Sequence, residues 1–182
     1  MIRYGATELA SSFRTVRKNT VQVAEDIPEA KYDFSPASGV RPVADLLKHI
    51  AYAPMVQEDM HRVKRVTTLK GYDFRDIVSR TAAEEKKPKS KVEIVELLRN
   101  EGERFAVWLE SLSDDFLNES FTDAAGQTAR TRFESMLGVK EHEMHHRGQL
   151  MLIERIIGVV PHLTRQREER NRQRQAASAL RA

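Results

Sequence analysis

The sequence contains no cysteine. Disulfides, thiolate metal ligands and a cysteine nucleophile are therefore excluded, and any thiol in its chemistry has to arrive as a substrate or cosubstrate. No apolar run approaches the ~20 residues that a membrane-spanning helix needs. The opening residues, Met-Ile-Arg-Tyr-Gly-Ala, lack the apolar core of a secretory signal, so the expected location is the cytoplasm. There is no internal repeat, and no segment alternates apolar and polar residues as a half-buried strand does. What is present is a globular composition. The 182 residues are 40% hydrophobic and 31% charged, enough for one domain with a substantial core.

The basic character is local. Residues 162–182 hold six arginines and two glutamates; this +4 exceeds the chain's net +3 and leaves −1 on residues 1–161. The chain therefore divides into a near-neutral body, 1–161, and an Arg/Gln-rich tail, 162–182. The tail has no aromatic residue to stack on bases. It is read as a solvated helical extension, and a nucleic-acid partner is not expected.

Helical periodicity organises the body. Leu9, Phe13, Val16, Thr20 and Val23 recur at 4-3-4-3 spacing and predict a helix over about 6–26. A connector follows, marked by Pro28, Pro36 and Gly39. Pro42 at a first helical position and Asp45 in the first turn open a second helix, with Val43, Leu46, His49, Ile50 and Ala53 on one face. Pro54 should kink it and release the Ile50 carbonyl. Residues 64–89 read as a long connection, with a short helix at about 73–80. Ser90 with Glu93, and Thr131 with Glu134, are capping boxes that open a third and a fourth helix. Trp108 belongs to the core face of the third, and Gly158 with Pro161 closes the fourth. Residues 114–127 read as a further connector. The predicted class is all-α, a four-helix bundle.

The fourth helix carries the chemistry. His142 and His146 are one turn apart, so both imidazoles leave the same side of the helix, in the middle of its apolar stripe. Taken alone, the pair fits two core histidines hydrogen-bonded to backbone or carboxylates. His49, on the apolar face of another helix, supplies the third nitrogen of a facial metal site with open positions; both readings stand on the residues. Gln149, one turn on, is a candidate to orient a ligand histidine, or is a buried amide. Glu141, Glu143, Asp45 and Glu58 are candidate carboxylates beside a metal, or solvated helix charges. His61, His145 and His162 are expected at the surface or behind the ligands.

The run His142-Glu-Met-His-His-Arg-Gly-Gln-Leu150, followed by Gly158-Val-Val-Pro161, resembles the signature of the DinB/YfiT-like family. Tyr32-Asp-Phe-Ser-Pro36 and Leu46-Leu-Lys-His49-Ile match that family's other recurrent segment. The resemblance covers roughly residues 6–161. It implies a bundle of up-down-down-up topology, zinc or nickel held at His49, His142 and His146, and a homodimer. It also implies a metal-dependent enzyme that moves a low-molecular-weight thiol onto an electrophilic small molecule, or hydrolyses a small substrate with water at the same site. The alternative is a non-catalytic stress-response bundle in which the metal is structural. The tail and the 64–89 connection depart from the family pattern.

Overall fold

A computed structural model describes residues 4–179. In chain order its elements are α1 (Ala6–Asp26), α2 (Val43–Tyr52), α3 (Pro54–Gln57), a π turn (Glu58–Val63), α4 (Phe74–Glu85), α5 (Lys91–Glu110), α6 (Asp114–Asn118), β1 (Ser120–Thr122), β2 (Thr128–Thr131), α7 (Arg132–Ile156) and α8 (His162–Ala179). No described helix is long and apolar enough to cross a membrane.

Both capping boxes form. Ser90 accepts from the Glu93 amide while Glu93 takes the Ser90 amide at 2.7 Å, and Thr131 and Glu134 do the same at the start of α7. Gly158, with φ +84°, ends α7 in the left-handed region that glycine tolerates. There the Val159 amide returns to the Glu154 carbonyl at 2.7 Å.

Cross-bundle pairs fix the helix directions. Lys91 reaches the Glu25 and Ile27 carbonyls, and Arg14 reaches Glu103 and Glu110, so α1 and α5 are antiparallel. Lys140 meets Ser12 and Arg147 meets the Val16 carbonyl, so α1 and α7 run together. His49 meets His142 and Gln57 meets Ser135, so α2 opposes α7. The result is the up-down-down-up bundle of α1, α2, α5 and α7.

Two apolar clusters fill it. One gathers Val23, Ile27, Leu47, Ile50, Leu98, Leu150 and Ile153, the other Leu9, Phe13, Phe105, Leu109, Met136 and Val139. Between them lies a buried ion pair. Arg17 donates Nε to Glu143 Oε1 at 2.9 Å and Nη2 to Oε2 at 3.0 Å; Nη1 goes to the Leu98 carbonyl at 2.7 Å and Nη2 to the Ile50 carbonyl at 3.3 Å. Ile50 is where Pro54 deprives the helix of its usual donor, so the guanidinium satisfies the carbonyl that the kink releases. Gly102 makes room for it: a Cβ there would sit 2.5 Å from Arg17 Cγ.

Two expectations need correction. The helix expected at about 73–80 begins at an Asp73 cap and extends to Glu85, because Ile77 and Thr81 bury against the bundle. The 114–127 connector contains α6 and the first strand of a hairpin, with Ser120 opposite Thr131 and Phe121 opposite Arg130; strands this short show no alternation. The tail is helical from His162, and its docking is concentrated in the first turn, where His162 bonds Asn19 at 3.2 Å and Arg165 pairs with Asp26 at 2.6 Å. Residues 165–179 are exposed.

Candidate metal centre

The antiparallel crossing of α2 and α7 brings His49 over the His142/His146 turn. His142 Nε2 lies 3.2 Å from His49 Nε2 and 3.1 Å from His146 Nε2, and the three ligand nitrogens are all within 4.8 Å of one another. Bonds of 2.0–2.1 Å to a tetrahedral ion place ligand nitrogens about 3.3 Å apart, so the spacing fits a shared cation.

Two of the rings are held in the tautomer that a metal requires. His49 Nδ1 meets Glu85 Oε1 at 2.8 Å, and His146 Nδ1 meets Gln149 Oε1 at 2.8 Å. An oxygen acceptor at Nδ1 leaves the Nε2 lone pair facing inward. Gln149 Nε2 in turn donates to His145 Nε2 at 3.2 Å, which fixes the orientation of the amide. His142 differs: its Nδ1 is buried without a partner among the described residues. Burial, then the neighbouring His146 and His49, push its pKa down to about 4. His146 is lowered as well, chiefly by burial. Facing lone pairs at this spacing repel unless a proton or a cation lies between them; the single proton of a neutral His142 can bridge to only one neighbour, whereas a cation serves all three nitrogens. The donor set therefore fits a divalent metal.

A cavity of about 390 Å³ opens beside His49 and His142. Val56, Val78 and Val139 line part of it, Glu85 lies at the α4 side, and Arg41, Gln57, Ser135 and Arg130 complete the wall.

A family profile for the DinB superfamily matches residues 12–150. The chain belongs to the DinB superfamily. A DinB-like protein from Bacillus subtilis superposes with a TM-score of 0.62 at 20% identity, covering 83% of this chain and 92% of that one. A DinB-like protein from Bacillus cereus gives 0.63 at 19%, covering 85% and 93%. A mycothiol-dependent maleylpyruvate isomerase gives 0.58 at 14%, covering 79% of this chain and 60% of that one. At these identities the likeness is one of fold. No curated protein matches the sequence.

Within this DinB-superfamily bundle the sequence candidates part company. His49, His142 and His146 converge, and Gln149 touches His146. The carboxylates do not join them. Glu143, a candidate to stand beside the metal, turns instead to Arg17 and is buried with it. Asp45 pairs with Lys48 at 3.0 Å, and Glu58 with Arg62 and Arg104. Glu141 is exposed. The carboxylate at the site is Glu85, which sequence reasoning missed because the charged run Glu84–Lys87 reads as a connector. His61 and His162, expected at the surface or behind the ligands, are both buried and bonded elsewhere: His61 to Ser135 and Arg132, His162 to Asn19.

Proposed function

We propose that this protein is a metal-dependent enzyme that transfers a low-molecular-weight thiol onto an electrophilic small molecule. One observation carries the reading: three imidazole nitrogens converge at the edge of a cavity, and among the described residues no further histidine or carboxylate joins the group. Ion coordination would be left incomplete on the cavity side. Zinc and nickel suit an all-imidazole set. When bound, such an ion acidifies a coordinated thiol or water and so supplies a nucleophile at neutral pH.

The chain's own residues have distinct tasks. His49, His142 and His146 hold the ion, and Glu85 and Gln149 fix two of the rings. Glu85 also lines the cavity, so its carboxylate is placed to take the proton that a thiol or water gives up. The valines exclude solvent from one side. A thiol cosubstrate agrees with the absence of cysteine and with the thiol dependence named for the maleylpyruvate isomerase of the same fold. Water in place of the thiol would make the same site a hydrolase. A homodimer and a cytoplasmic location belong to the proposal; exposed Leu152, Ile156 and Val160 offer apolar surface for the first.

The test is elemental analysis of tag-free protein beside His146→Ala, followed by a thiol-consumption assay with electrophiles. Near-stoichiometric zinc or nickel, lost in the variant, together with turnover, supports the reading. No metal after reloading overturns it. Metal that governs melting but supports no turnover would move the protein to the structural-metal alternative.

A further inference from the structure

The cavity beside the histidines has a second wall, and its polarity is set by a buried chain of hydrogen bonds. Arg132, 2% exposed, donates Nε to Glu119 at 2.8 Å and Nη1 to His61 Nδ1 at 2.7 Å. A guanidinium only donates, so His61 Nδ1 is the acceptor and the ring is neutral with its proton on Nε2. Burial and the Arg132 charge, which push the His61 pKa down to about 4, agree with that state. His61 Nε2 then donates to Ser135 Oγ at 3.1 Å, and Ser135 Oγ donates to Gln57 Oε1 at 2.6 Å. The Gln57 carbonyl is occupied by this chain, and its amide Nε2, a donor, remains for the cavity.

Arg41 and Arg130 line the same cavity. Both are exposed, and among the described residues neither forms an ion pair or hydrogen bond through its side chain, whereas Arg14, Arg80, Arg104 and Arg132 all face carboxylates. Among the described residues Glu85 is the one carboxylate in the lining, and it is engaged by His49. Arg41 acts on His142 and His146 and so stands at the histidine end of the cavity, whereas Arg130 acts on His61 and stands with Gln57 at the other end, which offers an amide donor and a guanidinium without an ion-pair partner among the described residues.

We propose that Gln57 and Arg130 form a carboxylate-binding subsite, and that the small molecule acted on at the histidine centre carries a carboxylate. This rests on the metal-centre reading for what happens at the other end of the molecule, but not for the binding itself. Planar guanidinium and amide donors match a carboxylate, and a cavity of about 390 Å³ suits a small ligand. Ser135 is a positioning residue: it sets which end of the Gln57 amide faces the cavity.

The experiment is calorimetric titration of zinc-loaded and metal-free protein with acetate, succinate and benzoate, each beside its neutral amide. At least one carboxylate should bind more tightly than its amide in both forms. That preference should fall about tenfold in Arg130→Ala and in Gln57→Glu, with zinc content unchanged. Ser135→Ala should reduce it without lowering the melting temperature of the zinc-free protein by a comparable measure. Failure to hold zinc, with the preference intact in metal-free protein, sinks the metal reading and leaves the subsite standing. No preference for any carboxylate, or the same preference in wild type and both charge variants, overturns the subsite.

Discussion

Neighbouring residues on α7 enter two different polar clusters. Glu143 turns toward α1 and meets Arg17; His142, the residue before it, turns toward α2 and meets His49. The first cluster is complete. Both Glu143 oxygens are used, and the guanidinium is shared among a carboxylate and two carbonyls. The second converges without closing: three ligand nitrogens face one another, and among the described residues no further histidine or carboxylate joins them. A polar cluster whose valences close internally is architecture; one whose valences converge without closing is a site. Glu154 provides the control. Three turns along α7 from Glu143 and on the same face, it is fully buried, and neither carboxyl oxygen has a partner among the described residues. Burial without a partner, and without convergence, gives only a displaced acidity.

The largest effect should come from opening the closed cluster. Arg17→Met leaves the Glu143 carboxylate buried and uncompensated and the Ile50 carbonyl without its donor. Chemical denaturation should show a loss of about 3–5 kcal/mol, while any metal that the folded fraction binds should still bind. A variant that lost metal affinity without losing stability would erase the distinction between the two clusters.

A smaller effect is expected around the open cluster. Glu85→Gln retains the shape but removes the charge behind His49. Metal affinity, read by competition with a chromogenic chelator, should fall about 10–100-fold, with the metal-free melting temperature nearly unchanged. Equal affinity would show that α4 is merely adjacent to the centre.

The control yields a change in stability smaller than that of Arg17→Met, and of definite sign. Burial, reinforced by Asp26, raises the Glu154 pKa to about 7 in the folded protein, from a reference value of 4.5. The folded state thus binds more protons than the unfolded chain between these values, and stability is lost as pH rises through that window. Glu154→Gln should therefore be more stable than wild type by about 1–3 kcal/mol at pH 8, and the gain should vanish below about pH 4.5. A gain independent of pH would point to packing, not ionisation.

The bundle and the three histidines were legible in the sequence because short-range rules govern them. The capping boxes at Ser90 and Thr131 need only a three-residue spacing, and the i, i+4 histidines need only a helix. Arg17 was overlooked although it stands four residues after Phe13 on the buried face of α1; a charge within that stripe was the available signal. Glu85 and Gln57 gave no signal. Their roles depend on how α4 crosses α2 and on which way a side-chain amide turns, and both are set by tertiary packing. The hairpin at 120–131 escaped for a related reason, since its strands are too short to have a period.

Arg17 also bears on how the molecule assembles. Its side chain starts on α1 and is satisfied by α2, α5 and α7 together, so no pair or trio of helices can complete the layer. Such a contact is worth little until the last helix docks, which places its gain on the native side of the folding barrier. The expected signature is that of a kinetic latch: Arg17→Met should raise the rate at which the bundle opens more than it lowers the rate at which it closes.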